Sequence, residues 1–131
     1  MKKKLYLKTI KGKGRGVFCN APLAKGEEIE ICPVIVIPAE EFTALNATAL
    51  MDYSFYFDKE ANTLSLTMGF GSMYNHKQYP NATYILDRAE KQMVFTAHEQ
   101  IKAHTEICIN YGGEYGVDYH KWFADRDIIP I

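Results

Sequence analysis

Cysteine is scarce in this chain of 131 residues: Cys19, Cys32 and Cys108 stand far apart and form no C-x-x-C pair. That spacing speaks against a disulfide framework and against a structural zinc held by paired thiols, and three reduced, mostly buried thiols are expected. Long apolar runs are lacking too, since no stretch approaches the ~20 residues that a membrane helix needs. The opening MKKKLYLKTIKGKG is broken by Lys8 and Lys11 and has no cleavage-site pattern. A cytosolic chain that begins on a strand is the expectation. His76, His98, His104 and His120 lack the i, i+4 spacing of a helical metal site, and no cysteine adjoins them, so no metal is expected. Acid is absent from residues 1–15, which hold seven basic side chains and leave eight basic against sixteen acidic in the remainder. Such a basic head suits nucleic acid or a membrane surface, or equally a solvated edge strand whose lysines discourage aggregation. The acidic remainder argues against a general nucleic-acid binder and suits a cationic substrate.

What the chain does have is short strands separated by glycine and proline turns. LYLKTI (5–10) reads as a strand, KGKGRG (11–16) as a turn, and VF (17–18) as the return. IEICPVIVI (29–37) carries Pro33 and is expected to be an edge or bulged strand. PAEEFTALNATALM (38–51) has a proline and early glutamates, the signals of a helix start. YSFYF (53–57), TLSLT (63–67), ATYIL (82–86), QMVFTA (92–97) and EICINY (106–111) are further strands, and DYHKWFADR (118–126) reads as a terminal helix. The pattern gives a mainly β, β-rich α+β fold in one domain over 1–131, without an internal repeat or linker.

Between two apolar runs lies GFGSMYNHKQYPNATY (69–84), which has neither helical nor strand period. The glycine turn GKGRG is no phosphate loop, because a strand rather than a helix N-terminus follows it. Cys108 with a histidine is open as a hydrolase pair, though a mid-strand thiol is more often structural. The order of the pieces is more telling than any one of them. GKGRGVF, then GFGSMYNHKQYPN, then EICINYG resembles the SET-domain protein lysine methyltransferases, in the minimal single-domain form of viral and bacterial type. The resemblance covers about residues 5–116, with a C-terminal helix over 117–131.

The resemblance implies a fold of small sheets with short helices and a C-terminal pseudoknot, in which the last segment passes under the loop of the preceding motif. It implies S-adenosylmethionine as cofactor, approached by Lys13, Gly14, Arg15 and Gly16 and held by Tyr74, Asn75 and His76, with Pro80 and Asn81 completing that motif. Glu106 opens the last motif, and Tyr111 matches the tyrosine closest to the transferred methyl, touching the cofactor as well. Tyr53, Ile109 and Tyr111 would line the channel for the substrate lysine. Ile109 has no hydroxyl where relatives often carry a ring, which implies di- or trimethyl product. Lys77, Asn110 and Gly116 depart from the residues common at those positions, and no cysteine cluster follows residue 112 to form a zinc-bearing tail. Trp122 or a second subunit would then close the site.

The expected activity is methyl transfer to a lysine of a protein, with a histone or another basic protein as partner and a homodimer as one means of closure. The rival is an inactive module of the same fold that binds a basic tail or nucleic acid through the lysine-rich head. No membrane or direct nucleic-acid contact is expected of the enzyme, and its place would be the cytoplasm, or a host nucleus for a viral or secreted protein.

Overall fold

The computed structural model describes residues 4–118. Two small antiparallel units open the chain. β1 (Leu5–Ile10) and β2 (Gly14–Cys19) form a hairpin in register from Leu5 opposite Cys19 to Ile10 opposite Gly14. β9 (Glu106–Ile109) pairs with the far side of β2, antiparallel, and with the two-residue β6 (Asn75–His76), parallel. The sheet order is therefore β1-β2-β9-β6.

The second sheet runs β4-β5-β3-β8-β7, built from β3 (Glu28–Ile37), β4 (Ser54–Asp58), β5 (Thr63–Thr67), β7 (Ala82–Asp87) and β8 (Gln92–Ala97). Alternation along these strands does the sorting. Cys32 and Val34 face the core while Ile31 and Ile35 are exposed, and Met93, Phe95 and Ala97 are buried on β8. The core joins both sheets: Val17 of β2 and Ile107 and Ile109 of β9 pack in one cluster with Cys32, Tyr74 and Phe95. All three cysteines are buried and unpaired.

Two expectations are corrected. β3 is the central strand of its sheet, not an edge. Pro33 is tolerated because the ladder changes partner there: residues 28–33 pair with β8 and residues 34–37 with β5. The missing N–H falls at the exchange, where the Pro33 carbonyl accepts from Met68 N (2.9 Å) and Val34 N donates to Lys91 O (3.0 Å). The bulge in this strand lies instead between Glu28 and Glu30.

The helix expected over 38–51 breaks into a 3-10 turn at Ala39–Glu41, a short α1 (Phe42–Asn46) and a second 3-10 turn at Ala49–Tyr53. Thr48 is extended (φ −120°, ψ 163°), and its hydroxyl donates to Leu45 O at 2.7 Å, competing with a helical continuation. Leu45 alone is buried in α1, so no apolar stripe holds a longer helix. The terminal helix expected over 117–131, with Trp122, lies outside the described residues apart from its first two positions.

Candidate active site

β9 is gripped along its length by the segment 74–81. Asn81 uses both ends of its amide: Nδ2 donates to Glu106 O (2.8 Å) and Oδ1 accepts from Cys108 N (2.9 Å). Lys77 N donates to Ile109 O (2.9 Å). Beyond β9 the hold continues, as Gly116 N donates to Gln78 O (2.8 Å) and Gln78 Nε2 to Gly116 O (2.9 Å). Buried Asn110 adds donations to Gln78 O and Val117 O. These are the contacts that the expected pseudoknot requires. They also explain the irregular stretch: its backbone cannot pair regularly on both sides, so asparagine and glutamine side chains supply the missing partners.

The grip assembles two adjoining clusters. In the first, Glu106 at the start of β9 receives Lys13 Nζ (3.0 Å) and Asn75 Nδ2 (2.7 Å). Asn75 Nδ2 also donates to Arg15 O (3.1 Å), which ties β6 to β2. The Lys13–Glu106 pair is largely buried, and removing either partner would leave a desolvated charge. Gly16 sits where these elements converge. A Cβ there would stand 2.5 Å from Glu106 Oε2 and 2.8 Å from Ile10 Cδ1, so only glycine lets the strand come this close. Gly14 and Arg15 remain exposed beside it.

The second cluster surrounds Tyr111. Its hydroxyl donates to Tyr74 O (2.9 Å), its main-chain N–H to His76 Nδ1 (3.0 Å), and its carbonyl accepts from Tyr84 Oη (2.9 Å). Every handle on the residue is fixed. Burial pushes the phenol well above its usual range, and Cys108, Tyr53 and Glu106 add to the effect. The ring of His76 is tilted against that of Tyr111 at 5.2 Å. Burial lowers its pKa to about 4, while Asp118 works in the opposite direction. The imidazole is therefore neutral at pH 7, as its role as acceptor demands.

Of the residues expected from sequence, Lys13, Gly16 and Asn75 meet at Glu106, Arg15 joins through its carbonyl to Asn75, Gly14 is exposed beside them, and Tyr74, His76 and Tyr111 form the neighbouring group. Tyr53 ends its 3-10 turn, close enough for its phenol to act on Tyr111 and 45% exposed. Ile109 has no exposed surface and packs within the core. Among the described residues no three His, Cys, Asp or Glu side chains stand where they would hold a metal ion.

Comparison with known proteins identifies the family. The SET domain model matches residues 14–112. The chain belongs to the SET-domain family. A Schizosaccharomyces pombe protein named histone-lysine N-methyltransferase, H3 lysine-37 specific, is 32% identical to this SET domain over 123 residues, 93% of this chain and 78% of the relative. A solved Plasmodium falciparum candidate histone methyltransferase is also 32% identical, with a TM-score of 0.71 over 88% of this chain and 98% of that one. The Neurospora SET domain protein DIM-5, a histone lysine methyltransferase, shares the fold at 21% identity and a TM-score of 0.64, over 82% of this chain and 51% of that one.

Sequence reasoning did not single out Tyr84 or Gln78, and Asn110 drew notice only as a departure. Tyr84 shares a face of β7 with buried Ala82, a placement that alternation allows one to read, but among nine tyrosines nothing set it apart. Gln78 and Asn110 act by reaching across to main chain distant in sequence, which leaves no local signal.

Proposed function

We propose that this SET domain is a protein lysine N-methyltransferase that uses S-adenosylmethionine. The observation that carries the reading is Tyr111: a buried, neutral phenol fixed at its hydroxyl, its N–H and its carbonyl, beside the charged cluster on Glu106. The donation to Tyr74 O fixes the direction of the phenol oxygen. A phenol held this far from ionisation is a poor general base, so Tyr111 orients the amine and stabilises charge rather than removing a proton.

When bound, S-adenosylmethionine supplies an electrophilic methyl group on a sulfonium. The residues present suit it. The exposed backbone at Gly14 and Arg15 allows close approach, and Lys13, fixed by its pair with Glu106, adjoins it in the chain. Asn75 and His76 would complete the hold, with Tyr74 taking part only through its main chain, since its side chain is buried against Glu30 and Phe95. Substrate lysine has a pKa near ~10.4, so a neutral amine at pH 7 costs about 4–5 kcal/mol. The aromatic walls offered by Tyr53 and Tyr111 desolvate the ammonium and lower that cost, and their ring faces hold the cation on its way in. Asp52, Glu114 and Asp118 are exposed next to these segments and recruit a basic chain.

The substrate to try first is a histone of the H3 type, following the name of the fission-yeast relative. Transfer of labelled methyl from the cofactor to histone H3 and to a lysine peptide array tests the reading, and mass spectra then count the methyl groups against the di- or trimethyl product proposed from Ile109. A chain that binds neither cofactor nor its homocysteine product by calorimetry is instead a non-catalytic module. Against that alternative, three basic side chains of the head are engaged within the fold, Lys4 with Glu27, Lys8 over the Phe18 ring and Lys13 with Glu106.

A further inference from the structure

Glu30 belongs to neither cluster, yet its carboxylate is the anchor of the segment that carries Tyr74. Oε1 accepts from Tyr74 Oη at 2.8 Å and Oε2 from Phe70 N at 3.0 Å. The loop is shaped around it: Gly69 takes φ +64°, and a Cβ there would stand 2.5 Å from Glu30 Oε2. Glu30 shares the inward face of β3 with Cys32 and Val34, and its charge joins burial in raising the pKa of both the Cys32 thiol and the Tyr74 phenol. An acid placed on that face is expensive unless several donors answer it, and here the loop supplies them.

Tyr74 reaches in two directions. Its side chain is pinned by Glu30 and stacked on Phe95 at 4.5 Å, while its carbonyl is the acceptor for the Tyr111 hydroxyl. The direction of that carbonyl decides where the Tyr111 proton points, and hence where its lone pairs face. We infer that Glu30 is a positioning residue for methyl transfer: by clamping Tyr74 through its hydroxyl, it sets the acceptor that aims Tyr111. The inference rests on the methyltransferase reading and adds to it a residue on another sheet that touches neither cofactor nor substrate.

Glu30→Gln keeps the volume but removes the charge and turns one of the two acceptors into a donor, so the Phe70 N–H and the Tyr74 hydroxyl can no longer both donate to it. Tyr74→Phe removes the clamped hydroxyl and keeps the carbonyl. Each is expected to lower kcat about ten- to a hundredfold, the scale of a small misplacement of a reacting group. KM for peptide and calorimetric cofactor affinity should stay within about twofold of the unmodified chain. The deciding measurement is the same pair of changes made in Tyr111→Phe, which has no hydroxyl to aim. There each change should alter kcat by less than about twofold. Equal fold losses in both backgrounds would mean general loosening and would overturn the inference, as would unchanged kcat in both single variants. If Glu30→Gln does not fold by circular dichroism, Tyr74→Phe carries the cycle alone. An unmodified chain that binds cofactor but methylates nothing overturns the methyltransferase reading, and the positioning role with it. An active chain with additive losses overturns the positioning role only.

Discussion

Tyr111 donates its hydroxyl to the Tyr74 carbonyl, which fixes the oxygen in place, so removing that oxygen is the direct test of its proposed role. Tyr111→Phe is expected to lower turnover ten- to a thousandfold, about 1.4–4 kcal/mol of barrier, with cofactor affinity nearly intact. Equal turnover in variant and parent would remove Tyr111 from the chemistry. His76 gives a second prediction through pH. Its pKa falls from 6.5 to about 4 on folding because burial penalises the imidazolium. The unfolded chain therefore binds more protons between those limits, and stability rises with pH across them. The contribution is complete above pH 6.5 and gone below pH 4. Urea unfolding at pH 7 and pH 5 should show the loss. His76→Asn, whose Oδ1 can still accept from Tyr111 N, should flatten it, and an unflattened slope would mean that other groups set the dependence. Much of this site was legible in the sequence because the residues are motif-bound: Asn75, His76, Glu106 and Tyr111 lie in two short runs of fixed order. Glu30 was not, since it acts from a strand 44 residues away on Tyr74 and belongs to no run.

At the level of elements, β1, β5 and β8 run between the residues expected of them, and β8 shows the reason most plainly, since Met93, Phe95 and Ala97 alternate as its buried face. The readings that failed share a cause. Pro33 and the 38–51 segment were judged by local propensity, whereas partner exchange along β3 and the lack of a buried stripe decided their structure. β6 escaped notice because two residues have no period at all, and β9 alone defines it. The wrapped segment around β6 is held by close packing as well as by hydrogen bonds. A Cβ on Gly71 would run into the Thr67 Cγ2 methyl and lie 3.3 Å from Cys32 Sγ. Gly71→Ala should therefore destabilise the fold by about 1–3 kcal/mol, as overpacking does. Thr67→Ser deletes the obstructing methyl, so the double variant should recover part of the loss, an interaction that a thermal-melt cycle reads directly. Strict additivity would mean that the damage lies elsewhere.

For the molecule as a whole, the open question is what surrounds the amine once it has arrived. A neutral lysine needs an apolar enclosure, yet Tyr53, proposed as one wall, is 45% exposed. Residues 119–131, which include Trp122, and a second copy of the chain are two candidates to close it. These alternatives differ in how activity responds to concentration. If the second copy completes the channel, turnover per chain must fall on dilution through the dissociation constant of the pair, because the monomer leaves the ammonium solvated and its pKa high. If the chain closes its own site, turnover per chain is independent of concentration and Trp122→Ala lowers it at every dilution. We expect the first pattern, since two-fold pairing is the commonest symmetry and a small domain gains most from sharing a wall. Sedimentation equilibrium run beside the dilution series checks it: a species that sediments as a monomer and keeps full turnover assigns closure to the chain itself. The methylated product should track the same curve, with higher methylation states lost first on dilution, because each successive transfer requires the amine to be desolvated again.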